Sequence, residues 1–127
     1  MIKKGLFLVS LFLICIINIS FASEFNMTYI YGGTTKTQIN NVKNTNGVMN
    51  EVSPSYFDLD DNGSLILTEA LDTNFISSMH EMGIKVVPFL SNHWDRQKGR
   101  NGLENREELS NQIVGAIEKY NFLYLNV

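Results

Sequence analysis

Cysteine is nearly absent from this sequence. Cys15 is the single cysteine among 127 residues, so no intramolecular disulfide can form. Packing alone must therefore hold together any fold that is exported to an oxidising compartment. Proline is equally scarce, with Pro54 and Pro88 as its two examples, and no Pro-rich stretch or charge block marks a linker. These absences, together with the short length, indicate one domain.

An excess of positive charge is also lacking. Ten Lys and Arg residues against thirteen Asp and Glu residues give a formal net charge of −3. Nucleic-acid-binding domains carry clustered basic charge, so nucleic acid is not an expected partner. The sequence also contains no nucleophile elbow, no phosphate-binding Gly-rich loop and no Cys/His cluster. From these patterns we predict neither a cofactor nor a bound metal.

Long apolar runs are confined to the start of the chain. Two lysines precede an apolar run from Leu6 to Ile17, and Ser20-Phe21-Ala22 supplies a small-x-small cleavage pattern. This order is typical of a secretory signal peptide. The run is also short for a membrane-spanning helix, which needs about 20 residues. We therefore expect residues 1–22 to be a signal peptide, residues 23–127 to be secreted or held at the cell envelope, and no stable membrane anchor. An uncleaved N-terminal anchor is the alternative.

The rest of the chain alternates strand-like and helix-like segments. Such alternation implies parallel strands joined by helical crossovers. Half of an eight-stranded (β/α)8 barrel and a small doubly wound sheet both fit this pattern. The expected order is a strand at 25–31, a weak helix within 34–47, a strand at 48–52, a hairpin at 55–67, a helix at 73–82, a strand at 84–90, a polar loop at 91–102, a helix at 105–120 that opens on a capping box, and a strand at 122–127.

The segment from Asp58 to Glu69 matches the calcium-loop pattern of an EF-hand. An EF-hand needs a helix before its loop, whereas Pro54 and a strand-like flank precede this one. Asn62-Gly63 between apolar runs is the strongest short signal for a hairpin, because Gly tolerates positive φ. We therefore predict a hairpin with an Asp/Asn-rich turn. A calcium-binding cell-surface protein is an alternative.

Four residues near the ends of predicted strands are candidates for binding a substrate. In barrels of parallel strands, residues at the carboxyl ends of the strands carry function. Aromatic faces at such positions offer a flat apolar platform for a sugar ring. We therefore predict that Tyr31, Tyr56, Asn92 and Trp94 bind substrate. The alternative for Trp94 is that it covers the top of the core. A secreted glycan-binding module that uses Tyr56 and Trp94 is a rival function.

Three segments, taken in order and spacing, resemble glycoside hydrolase family 18, in its bacterial branch of chitinase-like and peptidoglycan-hydrolysing enzymes. The resemblance implies that residues 23–127 are the N-terminal part of a TIM (β/α)8 barrel, about its first four β-α units. It also implies β-1,4-linked N-acetylglucosamine glycans, such as chitin or peptidoglycan, as the partner. The segments are Val52-Ser-Pro-Ser-Tyr-Phe-Asp-Leu-Asp-Asp-Asn-Gly-Ser-Leu65, Met82-Gly-Ile-Lys-Val-Val-Pro-Phe-Leu90 and Ile117-Glu-Lys-Tyr-Asn121.

The catalytic signature of that family is Asp-x-x-Asp-x-Asp-x-Glu on the fourth strand. The corresponding stretch here reads Asn121-Phe-Leu-Tyr-Leu-Asn126-Val127, with Leu123 at the first Asp position. The third Asp and the catalytic Glu would follow Val127. In the family, that Glu protonates the glycosidic oxygen while the N-acetyl group of the substrate attacks the anomeric carbon. Loss of a general acid removes about 10²–10⁴-fold in rate. We therefore assign no catalytic residue and expect a truncated, inactive hydrolase.

Overall fold

The computed structural model describes residues Glu24–Phe122. The predicted signal peptide and nearly all of the predicted last strand lie outside these residues. The described part is a mixed α/β fold with four helices and two three-stranded sheets. In chain order the elements are β1 (Met27–Ile30), α1 (Thr35–Lys43), β2 (Glu51–Pro54), β3 (Phe57–Leu59), β4 (Leu65–Leu67), α2 (Thr73–Glu81), β5 (Lys85–Val86), β6 (Leu90–Ser91), α3 (Arg96–Glu104) and α4 (Arg106–Tyr120).

The first sheet is parallel, with the order β1-β2-β5. Parallel neighbours need a crossover connection, and α1 and α2 lie in those connections. Thr34 caps α1 by accepting a hydrogen bond from the Thr37 N–H, and Asp72 caps α2 by accepting from the N–H groups of Asn74 and Phe75. The predicted helix at 73–82 is therefore confirmed. The weak helix expected after β1 is also present.

The second sheet contains the predicted hairpin. β3 pairs antiparallel with β4 and parallel with β6, so the strand order of this sheet is β4-β3-β6. Gly63 in the turn has a φ of +82°, and a Cβ atom built there would lie 2.1 Å from the backbone nitrogen of Gly102 in α3. Only glycine satisfies both conditions, because it tolerates positive φ and has no side chain.

The prediction of one continuous strand at 84–90 is wrong. This segment divides into β5, which pairs with β2, and β6, which pairs with β3. Pro88 lies between the two pieces and has no N–H to donate. The flanking N–H groups of Val87 and Phe89 still donate to the carbonyl oxygens of Val52 and Pro54. The strand expected at 48–52 likewise lies later, and β2 includes Pro54 as its last residue.

The predicted polar loop at 91–102 is wrong in its second half, which forms most of α3. Asp95 caps this helix by accepting from the N–H groups of Gln97 and Lys98. Gly102 is buried, and a Cβ atom built there would lie 3.1 Å from Leu59 Cδ1 and 3.4 Å from Leu109 Cδ2. The capping box expected at Asn105 is wrong as well. The Asn105 side chain makes no capping bond and donates instead to the Asn62 carbonyl oxygen.

The core lies between the first sheet and its helices. Val52 and Val86 of the sheet and Phe75 and Met79 of α2 are wholly buried. Full burial of such a side chain stabilises the fold by about 1.5–3 kcal/mol. Phe122, also wholly buried, accepts a hydrogen bond from the Val86 N–H through its carbonyl oxygen. Between residues 24 and 122, no helix is long and apolar enough to cross a membrane.

Candidate functional site

A pocket of about 430 Å³ lies where β1 and β2 end and where the loop after β6 begins. Ligands of open α/β sheets and of barrels bind at the carboxyl ends of the parallel strands, which is the place of this pocket. Its lining includes Tyr31, Gln38, Tyr56, Glu69 and His93. The structure therefore brings together Tyr31 and Tyr56, two of the four predicted binding residues.

Tyr31 forms the open rim of this pocket. It directly follows β1, and its side chain is 79% exposed. Gly32 and Gly33 come next with φ values of +64° and +81°, and they turn the chain into α1. Glycine adopts such values without steric cost, so this turn leaves the Tyr31 ring facing solvent.

Tyr56 is the opposite case, because it is 2% exposed and its ring packs 6.0 Å from the ring of Phe122. Its hydroxyl group is buried, and it makes no hydrogen bond of ordinary geometry with the described residues. Burial raises the pKa of the Tyr56 phenol well above its usual value, and the negative charge of Asp72 acts in the same direction, while the Asp72 backbone N–H partly offsets the rise. The phenol therefore keeps its proton and remains a hydrogen-bond donor.

Asp72 ties the starts of two helices together near Tyr56. Its carboxylate accepts a short hydrogen bond from the hydroxyl of Thr35, at the start of α1, while it caps α2. The Thr35 hydrogen bond, with further help from the Phe75 and Asn74 N–H groups, holds the pKa of Asp72 below its usual range. Asp72 is therefore a structural residue that links the start of α1 to the start of α2.

His93 reaches the pocket from the loop after β6 and pairs with Asp58 of β3. The distance from His93 Nε2 to Asp58 Oδ2 is 2.6 Å, and the Asp58 side chain is only 18% exposed. The parallel register places Asp58 opposite Ser91, two residues before the histidine. Sequence reasoning missed this pair. A register between strands joined by a long connection has no local signal in the sequence.

Asn92 and Trp94 are not among the residues that line the pocket. Asn92 holds the loop instead: its Oδ1 accepts from the Trp94 N–H at 3.3 Å and its Nδ2 donates to the Asp95 carbonyl oxygen at 3.0 Å. His93 and Trp94 have φ values of +49° and +62°. Consecutive left-handed residues other than glycine are unusual, and they cluster at functional sites. Trp94 is 97% exposed, so the alternative that it covers the core is wrong.

In the turn of the calcium-pattern segment, the carboxylates of Asp60 and Asp61 have partners within the protein. Asp60 Oδ1 accepts hydrogen bonds from the N–H groups of Asn62 and Ser64, and Asp61 forms an ion pair of 3.2 Å with Lys98. Among residues 24–122, no group of three or more His, Cys, Asp and Glu side chains is arranged to hold a metal ion. The prediction of a hairpin for this segment is confirmed.

Comparison with known proteins gives a structural likeness without a sequence match. No family model matches the sequence, and no curated protein matches it significantly. Among solved structures, the fold is similar to the crystal structure of the spore cortex-lytic enzyme SleL from Bacillus megaterium QM B1551, with a TM-score of 0.59 at 18% sequence identity. The match covers 76% of this chain and 24% of SleL, so the chain spans about a quarter of that protein. At this identity, the likeness shows that the two share a related α/β fold.

Proposed function

We propose that this chain is related to glycoside hydrolase family 18 and that residues 24–122 are the first β-α units of a (β/α)8 barrel. Its partner is an N-acetylglucosamine-containing glycan, such as chitin or peptidoglycan. The observation that carries this proposal is the pocket at the carboxyl ends of the parallel strands β1 and β2. In such barrels this is the face that binds substrate. The likeness to SleL, described as a spore cortex-lytic enzyme, supports the same assignment.

The chemistry of the pocket suits a sugar. Its volume of about 430 Å³ falls within the range of small-molecule sites, roughly 300–1,000 Å³. The exposed ring of Tyr31 offers an apolar face for the C–H face of a pyranose. The polar groups of Gln38, Glu69 and His93 lie around it and match the hydroxyl groups of the same ring.

Binding without hydrolysis is the activity we propose for these 127 residues. They contain no Asp-x-Asp-x-Glu sequence, and the family routes proton transfer through that Glu. We also propose that residues 1–22 direct export, so that the chain meets its glycan outside the cytoplasm. Incubation with chitin oligomers and with peptidoglycan is expected to release no reducing sugar. Turnover that disappears on substitution of one acidic residue would contradict this part of the proposal.

The binding claim is tested by calorimetric titration of the full chain with tri-N-acetylchitotriose. Loss of one aromatic stacking surface is expected to weaken affinity by about threefold to tenfold in Tyr31→Ala. Phe25→Ala is the matched control, because Phe25 is also exposed, at 63%, but precedes β1 and is absent from the pocket lining. Equal affinities of both variants would contradict a role for this pocket.

A further inference from the structure

The pair formed by Asp58 and His93 fixes which ring nitrogen of the histidine carries a proton. An ionised carboxylate only accepts hydrogen bonds, so the 2.6 Å contact to Asp58 Oδ2 requires a proton on Nε2. In a neutral imidazole the other nitrogen is then an acceptor. His93 Nδ1 has no hydrogen-bond partner among residues 24–122, while the backbone N–H of His93 is satisfied by the hydroxyl of Ser91. Nδ1 is therefore an open acceptor on a residue that lines the pocket.

Two other pocket residues present acceptors as well. Gln38 uses its amide nitrogen to donate to the Gly32 carbonyl oxygen at 2.7 Å, which leaves its Oε1 available. Glu69 is exposed, and its carboxylate takes part in none of the ion pairs of the described residues. No Lys or Arg side chain is among the lining residues of this pocket. Its open groups are thus mainly acceptors, with one negative charge and no fixed positive charge.

We infer that this pocket selects sugars by charge and by hydrogen-bond donation, with Asp58 as the positioning residue for His93. The inference rests on the proposed glycan function and deepens it. Ligands rich in donors, such as neutral N-acetylglucosamine units or their free-amine counterparts, are accepted. A sugar bearing a carboxylate, as muramic acid does, is disfavoured because its charge meets Glu69 without a compensating cation.

The tautomer is measured first, on the full chain without any sugar. Long-range ¹⁵N–¹H spectra at pH 8 are expected to show His93 protonated on Nε2. In Asp58→Asn the amide can donate to that nitrogen or accept from it, so a mixture of tautomers is expected. Asp61→Asn is the control, since it removes one carboxylate from the same hairpin. Asp61 pairs with Lys98 and not with His93. A ring protonated on Nδ1 in the unaltered chain would overturn the inference.

Selectivity is measured next, with three probes at pH 8: di-N-acetylchitobiose, its fully deacetylated form, and the disaccharide of N-acetylglucosamine and N-acetylmuramic acid. The first two are expected to bind about tenfold or more tightly than the third. Glu69→Gln should bring the three affinities together. His93→Ala should lower the affinity for di-N-acetylchitobiose by about tenfold, because one acceptor is lost. Asp61→Asn should leave all three unchanged.

The results separate the two claims. Binding of all three probes with equal affinity, or no effect of Glu69→Gln and His93→Ala, would overturn the inference while the proposed glycan function stands. The absence of saturable binding by every probe would contradict the proposed function and the inference together.

Discussion

The hairpin side and the pocket side of this fold differ in whether their polar groups have hydrogen-bond partners within the chain. On the hairpin side, formed by the turn at 60–64 with α3 and α4, polar groups find partners within the chain. The Leu65 N–H donates to Gln112 Oε1 at 2.7 Å, and Asn101 Nδ2 donates to the Asp61 carbonyl oxygen at 2.8 Å. On the pocket side, His93 Nδ1 has no hydrogen-bond partner among the described residues, and the Tyr56 hydroxyl makes no hydrogen bond of ordinary geometry with them.

This difference separates residues that maintain the fold from residues available to a ligand. Buried polar groups in proteins almost always have a hydrogen-bond partner, and a buried group left without one costs about 1–3 kcal/mol. Groups that remain open at the rim of a pocket are therefore the ones that a ligand can satisfy. Substitutions on the hairpin side should change stability, whereas those on the pocket side should change binding.

The largest effect is expected from Gly63→Ala on the hairpin side. A methyl group there would lie 2.1 Å from the Gly102 backbone nitrogen, and the residue would also keep a φ of +82°. Since backbone atoms cannot move aside without separating the hairpin from α3, we expect a loss of at least about 3 kcal/mol in the free energy of unfolding, measured by urea denaturation.

Gly32→Ala is the matched control for that substitution. Gly32 also has positive φ, at +64°, but a Cβ atom there would meet no atom within 4 Å. The free energy of unfolding should fall only by the strain of an alanine in the left-handed region, about 1–2 kcal/mol. Equal losses in the two variants would show that the hairpin does not dock against α3 as described.

An intermediate effect is expected at Asp72, which caps α2 and accepts from Thr35. Asp72→Ala should lower the free energy of unfolding by about 1–2 kcal/mol. Asn105→Ala should lower the free energy of unfolding by only about 0.3 kcal/mol, since Asn105 precedes α4 without a side-chain capping bond. A larger loss at Asn105 than at Asp72 would contradict this assignment of caps.

The lowered pKa of Asp72 also fixes the sign of a pH effect. A carboxyl group with a depressed pKa contributes stability above its unfolded-state pKa, and the contribution is lost as pH falls through the folded-state value. Acid titration of stability below about pH 4 should therefore be shallower in Asp72→Asn than in the unaltered chain.

The smallest expected change in stability comes from Tyr56→Phe. Removal of a buried hydroxyl that makes no hydrogen bond of ordinary geometry should leave stability unchanged or raise it by about 1 kcal/mol at neutral pH. Burial raises the pKa of this phenol, so its contribution is complete below the usual value of 10.0 and declines as pH rises above it. Tyr56→Phe should remove that part of the alkaline decline, measured by urea denaturation between pH 9 and 11. Thr68→Val is the contrast, because the Thr68 hydroxyl donates to the Ser55 carbonyl oxygen at 2.6 Å and its loss should destabilise by about 1 kcal/mol.

Local patterns were sufficient to predict the hairpin and α2. Asn62-Gly63 between apolar runs and the Asp72 cap before an apolar stripe are contiguous signals. α3 was missed because its segment, with Arg96, Gly99 and Gly102, is polar and contains two glycines, whereas the helix depends on the Asp95 cap and on packing against the hairpin. Tyr31 ends the predicted strand at 25–31 and Tyr56 lies at the start of the predicted hairpin, and both line the pocket.

The rest of the site depends on pairings between distant segments. Asp58 contacts His93 only because β3 and β6 are parallel neighbours, a relation of residues 35 positions apart. The sequence pattern instead places Asp58 in a calcium-like loop and gives no signal that pairs it with His93. Asn92 was selected for its position after a strand, and the structure shows its side chain bonded within its own loop.

Amide shift mapping determines whether the pocket at the ends of β1 and β2 holds a glycan. The full chain, labelled with ¹⁵N, is titrated with tri-N-acetylchitotriose. We expect saturable shifts concentrated at Tyr31, Tyr56, Glu69 and His93, with none around Glu107 on α4. Shifts that do not saturate, or that cluster on α4 and leave the pocket unchanged, would contradict this expectation.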